Sequence, residues 1–275
     1  MKYSPQAIRW LATGAVIAMS FCTLSHAAPD LDTVLAGDQR SAVNRARDGY
    51  RHPAETLAFF GLKPDMTVVE LWPGGGWYTE ILAPYLRDSG KLYAAHFPAS
   101  SDVAYYSKGR AAFEAKLAAN PGVYDRVVVT ELAPPTGLAI APPGSADMVL
   151  TFRNVHNWLK PEGNELNVMK AAFNALKPGG VLGVVEHRAA DGTSREQSLE
   201  SGYVAQQLVI DAAQAAGFVI EQSSEINANP RDTHDHPKGV WTLPPSFALG
   251  EQDRDLYLDI GESDRMTLLF RKPAQ

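Results

Sequence analysis

The feature that most constrains the fold is a run of three glycines directly after an apolar segment. Residues 67–71 read Thr-Val-Val-Glu-Leu, which predicts a buried strand, and Trp72-Pro73 leads from it into glycines 74–76. Residues 78–86 have the composition of a helix. Because glycine has no Cβ, a ligand can approach the main chain closely, and the helix start offers free N–H groups. The order strand, glycine turn, helix therefore predicts an α/β protein with a ligand site at the turn.

The same alternation continues along the chain. Apolar segments predict further strands at 90–96, 126–130, 146–152, 181–185, 218–221 and 266–271, and the helical segments between them are 103–119, 166–176 and 199–216. Strands that alternate with helices favour a parallel sheet covered on both faces. The predicted fold class is α/β: a seven-stranded, doubly wound, mostly parallel sheet, with its last two strands joined without a helix.

Residues 1–27 have the pattern of a secretory signal peptide. Basic residues precede an apolar segment, 10–24, and Ser25-His26-Ala27 is a small-x-small cleavage site. We expect cleavage after Ala27 and a periplasmic or secreted protein. The apolar segment is short and interrupted by polar residues, so stable membrane insertion is not expected after cleavage.

Residues 28–275 are then predicted to be one domain. Residues 28–62 form an N-terminal helical extension, with helices at 28–47 and 54–60, and residues 63–275 form a Rossmann-like core. Loss of the signal peptide removes Cys22, the one cysteine, and leaves 23 basic and 31 acidic residues, a formal charge of −8. A cysteine-free chain has no disulfide, catalytic thiol or thiolate metal site. The acidic balance argues against nucleic-acid binding, and the oligomeric state is left undetermined.

Residues at the strand ends are the candidate site residues, because doubly wound sheets bind ligands beyond the carboxyl ends of their strands. Glu70 ends the first strand, where a carboxylate can accept from ribose hydroxyls or a ligand ammonium. His96 ends the second strand, where such sites usually place an acid for the ribose. A histidine there makes a weaker hydrogen bond than a carboxylate, so a plain strand-end histidine is the alternative.

Two polar segments follow the fourth and fifth strands. Arg153, Asn154 and His156 come directly after residues 146–152, and Glu186 and His187 follow residues 181–185. A histidine titrates near neutral pH, so His156 and His187, together with Glu186, are the candidates for a general base. The alternative is a strand end in which Glu186 pairs with an arginine.

A long polar loop, residues 227–250, holds two histidines and two aspartates between residues 232 and 236. Imidazole and carboxylate ligands suit Zn, Mn or Fe, but this spacing matches no established metal motif. We therefore expect a solvated loop or a lid over the site, and no metal.

Seven segments occur in one order along the chain: Arg51-His52-Pro53, Glu70-Leu71-Trp72-Pro73-Gly74-Gly75-Gly76-Trp77-Tyr78, Phe152-Arg153-Asn154-Val155-His156, Lys177-Pro178-Gly179-Gly180, Glu186-His187-Arg188, Ala216-Gly217-Phe218 and Asn229-Pro230-Arg231-Asp232. Together they resemble a family of predicted bacterial class I S-adenosylmethionine (AdoMet)-dependent methyltransferases with exported members. The glycine segment resembles their motif I, acid-x-Gly-x-Gly-x-Gly, with Trp72 in place of the first glycine.

The resemblance implies an AdoMet-dependent methyltransferase that acts on an unidentified small-molecule acceptor. With the strand-end residues, it gives as candidates for cofactor binding Glu70, Gly74, Gly75, Gly76, Tyr78, His96, Glu131, Arg153 and Asn154, although His96 departs from the acid of the family pattern. The candidates for proton transfer are His156, His187 and Glu186. Two alternatives remain, since fold does not decide function. One is a non-catalytic protein that binds a nucleoside or another small ligand on the same scaffold. The other is a metal-assisted hydrolase that uses His234 and His236.

Overall fold

The structure is a computed structural model that describes residues 1 and 30–274. Apart from Met1, the predicted signal peptide and its cleavage site lie outside the described residues. Within the described part of the chain, no helix has both the length and the apolar character needed to cross a membrane.

Seven strands form one sheet. In chain order the strands are β1 (Thr67–Leu71), β2 (Lys91–His96), β3 (Val128–Glu131), β4 (Ala146–Phe152), β5 (Leu176–His187), β6 (Val219–Ser224), a short β7 (Pro237–Val240) outside the sheet, and β8 (Arg265–Arg271). The order across the sheet is β3-β2-β1-β4-β5-β8-β6. Strands β1 to β5 pair in parallel, and β8 is antiparallel to both of its neighbours. The predicted seven-stranded, mostly parallel sheet is confirmed.

Helices pack on both faces of the sheet. They are α1 (Leu31–Ala36), α2 (Ala42–Arg45), α3 (Asp48–Arg51), α4 (Pro53–Phe59), α5 (Thr79–Leu86), α6 (Ala104–Ala119), α7 (Pro121–Tyr124), α8 (Val155–Trp158), α9 (Asn164–Ala175), α10 (Arg195–Ser201), α11 (Gln206–Ala215) and α12 (Arg254–Ile260). Alternate strand residues point to two separate cores: Val69 packs with residues of α9 and α11, and Val68 packs with residues of α4 and α5. This alternation is why the buried strands read as continuous apolar runs.

Three predicted elements differ from the structure. The helix expected at 28–47 is two short helices, α1 and α2, because Gly37 is extended and ends α1, and Ser41 caps α2. The helix expected at 199–216 is divided at Gly202, whose φ of 74° is left-handed. The prediction that no helix lies between the last two strands of the sheet is wrong, since β7 and α12 lie between β6 and β8. Helix α12 buries Tyr257 and leaves Leu256 and Leu258 exposed, so its sequence has no clear apolar stripe.

Candidate functional site

A cavity of about 410 Å³ lies beyond the carboxyl ends of β1, β4 and β5. Its lining comes from residues 70–75 and 77–78, from residues 152–157, from the N-terminal helices, and from residues 240–246 with 262–263, and Tyr105 and His187 complete it. Strands β1 and β4 are neighbours in the sheet but not in the sequence, so the cavity lies at the switch point where doubly wound sheets bind ligands.

Most of the predicted site residues lie at this cavity. Its lining includes Glu70, Gly74, Gly75, Tyr78, Arg153, Asn154, His156 and His187. Glu186 is fully buried and bonds to His156. The lining does not include Gly76, His96 or Glu131.

Two non-glycine residues beside the cavity have left-handed backbones. Trp72, with a φ of 44°, follows β1, and Arg153, with a φ of 60°, follows β4. Such conformations cost about 1–3 kcal/mol each and cluster at functional sites. Trp72 stands where the motif has glycine, which adopts positive φ without steric cost. The chain accepts strain on both sides of the switch point.

A buried carboxylate orients His156. Its Nδ1 lies 3.0 Å from Glu186 Oε1, which also accepts the His187 N–H at 2.8 Å. Glu186 Oε2 accepts the N–H of Val155. Because the carboxylate acts only as an acceptor, Nδ1 of His156 is the donor and Nε2 carries the lone pair. This arrangement equips an imidazole for proton transfer.

His187 is the second imidazole of the site. Its Nδ1 lies 2.6 Å from Ser263 Oγ, and its ring centroid lies 5.4 Å from that of His156. Burial lowers the pKa of His187 well below its usual value, and the charges of His156 and Arg153 lower it further. His187 is therefore neutral near pH 7.

Donor atoms of His156, Glu186 and His187 lie within 4.8 Å of one another, a spacing that would fit a divalent metal ion. Both oxygens of Glu186, however, already accept hydrogen bonds from the protein. The cation Arg153 lies close enough to His187 to lower its pKa. The donor set is therefore better suited to proton transfer than to binding a cation.

Arginines make one wall of the cavity strongly cationic. Glu262 accepts from Arg47 Nε at 2.6 Å, from Arg51 Nε at 3.0 Å and from Arg265 Nη2 at 2.8 Å. The guanidinium of Arg153 makes no hydrogen bond or ion pair with any other residue that the structure describes. One ionised carboxylate therefore stands against four guanidinium groups.

The pKa values reflect this crowding. Burial and the charge of Arg153 lower the pKa of Arg51 to about 9, and burial and Arg265 lower that of Arg153 to about 10. Burial alone would raise the pKa of Glu262, but the arginines lower it to about 2. Both Nη atoms of Arg51 are buried without a hydrogen-bond partner. An anion in the cavity would offset this repulsion.

Glu70 and the end of β1 make hydrogen bonds to other residues of the protein. Glu70 Oε2 accepts from Thr79 Oγ1 at 2.6 Å, and burial raises the pKa of Glu70 to about 7. Asn154 Nδ2 donates to the carbonyl of Leu71 at 2.9 Å, so it holds the end of β4 to the end of β1. A Cβ built on Gly74 or on Gly75 would meet nothing within 4 Å, so there is space beside both.

The three predicted site residues that do not line the cavity contact other parts of the protein. His96 Nε2 lies 3.0 Å from the Gly74 carbonyl and its Nδ1 accepts the Phe97 N–H at 2.7 Å, so its ring is fully engaged. In place of the expected ribose contact, His96 positions the glycine turn. Gly76 faces α6, since a Cβ there would lie 3.1 Å from Phe113. Glu131 accepts from the N–H of Ala99 on the surface, away from the cavity.

The histidines of the late loop bond to buried aspartates. His236 Nε2 lies 2.8 Å from Asp232 Oδ1, and His234 Nε2 lies 3.2 Å from Asp264 Oδ2. Both histidines line a different cavity, of about 420 Å³. Residues 240–246, later in the same loop, line the first cavity. The loop therefore borders the site as expected of a lid, but not through its histidines.

Sequence reasoning missed the arginine wall. Arg47 and Arg51 come from the N-terminal helices, whereas Arg265 is the first residue of β8 and Glu262 lies three residues before it. Arg153 was a candidate from the sequence and Arg51 lies in the Arg51-His52-Pro53 segment, but nothing indicated that they gather with Arg47 and Arg265 around Glu262. The partners are separated by 215 and 211 residues, and no local pattern links them.

No family model and no curated protein matches this sequence. Among solved structures, an S-adenosylmethionine-dependent methyltransferase from Aquifex aeolicus aligns with 88% of this chain and 98% of its own, at 16% identity and a TM-score of 0.54. The [4+2]-cyclase SpnF aligns with 87% of this chain and 86% of its own, at 19% identity and a TM-score of 0.56. A candidate sarcosine dimethylglycine methyltransferase from Galdieria sulphuraria aligns with 86% of this chain and 89% of its own, at 16% identity and a TM-score of 0.56. The chain has the class I methyltransferase fold.

The methyltransferase fold does not bring the residues that AdoMet needs. AdoMet carries a positive sulfonium and a positive ammonium against one carboxylate, so its methionine part is cationic overall, and here the cavity wall is cationic too. The turn carbonyls of Leu71, Gly74 and Gly75 already accept from Asn154, His96 and Lys116. β2 ends at His96, a buried histidine where a carboxylate for the ribose is expected. The residues present do not fit AdoMet.

Proposed function

We propose that the protein is an enzyme that binds a small organic anion in the strand-end cavity and removes a proton from it with the His156–Glu186 pair. One juxtaposition carries the proposal: the guanidinium of Arg153, without a partner among the described residues, shares a cavity with a carboxylate-oriented imidazole.

Binding rests on the arginines. A carboxylate or phosphate group on the ligand would pair with Arg153 and would relieve the repulsion between Arg153 and its neighbours Arg51 and Arg265. Guanidinium groups bind such anions through paired hydrogen bonds. The indole of Trp241 and the stacked rings of Tyr78 and Phe152 add apolar surface for the rest of the ligand.

The chemistry rests on His156. A C–H bond next to the ligand's anionic group breaks, the proton moves to Nε2 of His156, and the electron pair stays on the ligand. Glu186 stabilises the imidazolium that forms, because it accepts from Nδ1. The arginine wall stabilises the negative charge that develops on the ligand.

Calorimetric titration with malonate and with phosphate tests the binding. We expect both anions to bind, and Arg153→Met to weaken binding by about tenfold or more, because it removes one desolvated cation. Arg126→Met, on an exposed surface, is the matched control and should bind as wild type does. Equal affinity in the Arg153 variant would contradict the proposed binding mode.

Proton transfer is tested in heavy water. A set of small organic acids is incubated with the protein, and loss of the C–H signal next to the carboxylate is followed by proton NMR. We expect exchange with at least one acid, and its loss in His156→Asn. Exchange at the wild-type rate in that variant would remove His156 from the base role.

Methyl transfer from AdoMet is the second candidate. The resemblance implies it, and the space beside Gly74 and Gly75 supports a closely bound ligand. It requires the turn contacts and the indole of Trp72 to rearrange. Micromolar binding of S-adenosylhomocysteine to the wild-type protein would favour it over the anion proposal.

We also propose that the protein works outside the cytoplasm, on a small molecule and not on nucleic acid. AdoMet is made in the cytoplasm, so a reaction without AdoMet suits an exported protein. The signal-peptide pattern of residues 1–27 and the formal charge of −6 support this location and this class of partner.

A further inference from the structure

The side chain of Trp72 lies across the ends of three strands. It leaves the end of β1, and its ring centroid lies 4.9 Å from that of Phe97, which follows β2. Its Nε1 donates to the carbonyl of Leu132, which follows β3, at 2.9 Å. Trp158 of α8 packs against it with centroids 5.5 Å apart. The indole is 8% exposed, so it is part of the packed interior.

This indole divides the crevice into two cavities. The cavity of about 410 Å³ lies on one side, and a second cavity of about 260 Å³ lies on the other. Trp72 and Asn157 are the lining residues that the two have in common. A ligand long enough to lie along the strand ends from β4 to β3 would have to pass through the indole.

A nucleoside is a ligand of that kind. In doubly wound sheets the nucleotide half of a cofactor lies over the strand ends on one side of the switch point, here those of β1, β2 and β3. The indole is a bicyclic aromatic ring of nearly purine size with one N–H donor. It packs edge-on against the ring of Phe97 and donates to the carbonyl of Leu132, so it occupies the space that a purine would take beside these two groups.

We infer that Trp72 acts as an internal plug that fills the nucleoside part of the crevice and excludes adenosine-containing cofactors. Displacing a packed indole should weaken nucleoside binding by roughly 100-fold or more. The remaining cavity then accepts only ligands short enough to fit on the β4 and β5 side. The inference is independent of the proposed proton transfer.

Titration with adenosine tests the plug directly, because adenosine lacks the amino-acid end that would meet the arginines. Wild-type protein should show no binding of adenosine or S-adenosylhomocysteine at millimolar concentration. Trp72→Gly restores the glycine of the motif and suits the φ of 44°. It should bind adenosine at least about tenfold more tightly than wild type. Trp241→Gly, which opens the opposite end of the cavity, is the control and should gain nothing.

Two results would overturn the inference. One is micromolar binding of either nucleoside to the wild-type protein. The other is a Trp72→Gly protein with a native circular-dichroism spectrum that gains no affinity. If that variant does not fold, Trp72→Ala is read in the same way. Binding of malonate is measured in the same samples, so failure of the plug and failure of the anion site are told apart.

Discussion

Glu70 is an acidic residue whose pKa is changed strongly by burial. It is a fully buried acid under the glycine turn, and its carboxylate accepts from Thr79. Burial raises its pKa from an ordinary 4.5 to about 7. Between these two values the folded protein holds a proton that the unfolded chain releases, so this residue lowers stability as the pH rises from 4.5 to 7.

Replacement of this acid by its amide should remove that effect. Glu70→Gln can still accept from Thr79, and we expect it to exceed wild type in free energy of unfolding by about 1–3 kcal/mol at pH 8, with a smaller difference at pH 5. Urea unfolding at both pH values measures this. Glu55→Gln, on the exposed side of α4, serves as the control. A pH-independent difference would show that Glu70 is not protonated in the fold.

Trp72 shows where sequence reasoning stops at this scale. The sequence reveals that a tryptophan replaces a glycine, and hence that the turn is unusual. Whether its indole points to solvent, into the core or across the strand ends depends on Phe97, Leu132 and Trp158. These partners come from three different elements, and nothing in the local sequence pairs them.

At the scale of elements, the strands were predicted well because each is an apolar run between turn residues. The connections were predicted less well. Helix α8 is a single turn, Val155–Trp158, and α12 has no apolar stripe, so neither produces helical periodicity. At the cavity the same division holds: the candidates at the ends of β1, β4 and β5 lie there, His96 and Glu131 do not, and the residues of the N-terminal helices and Glu262 were not predicted.

The joint between the N-terminal helices and β8 depends on Glu262. Glu262→Gln leaves Arg47, Arg51 and Arg265 without their shared carboxylate, and we expect a loss of about 3–5 kcal/mol in the free energy of unfolding near pH 7. Because the pKa of Glu262 is about 2, its contribution is present above pH 4.5 and is lost as the pH falls toward 2.

Denaturant unfolding at pH 7 and at pH 3 measures this contribution. Glu251→Gln is the matched control, since its side chain is 88% exposed and its arginine lies 3.8 Å away. Equal stability of Glu262→Gln and this control at pH 7 would mean that the arginines do not need the carboxylate.

At the scale of the whole molecule, the charge at the cavity has the opposite sign to the net charge of the chain. The chain has a formal charge of −6, yet four arginines gather around one carboxylate at the strand-end cavity. Acidic residues elsewhere in the chain make the net charge negative. The cavity is thus a local cationic site in an acidic protein, an arrangement that suits capture of a small anion.

Export is a property of the whole chain and has its own test. We expect protein recovered from the periplasm of a bacterial host to have the intact mass of residues 28–275, because the predicted cleavage site precedes Ala28. Ala27→Tyr should block cleavage and leave the full-length mass, whereas Ala28→Ser should not. Wild-type protein that is found in the cytosol with residues 1–27 attached would contradict the prediction.

The arginine wall also has a consequence for the order of folding. Its contacts join residues 215 positions apart. Forming them closes a very long loop of the chain, which costs more conformational entropy than a local contact does. Strands β1 to β5 can pair without them, whereas the wall exists only after β8 has entered the sheet beside β5 and brought Glu262 and Arg265 to the N-terminal helices. Because Arg153 directly follows β4, a chain with only β1 to β5 paired would already hold that guanidinium, whereas the complete wall forms only when β8 is in place. Full affinity for an anion would therefore report the entry of β8 into the sheet.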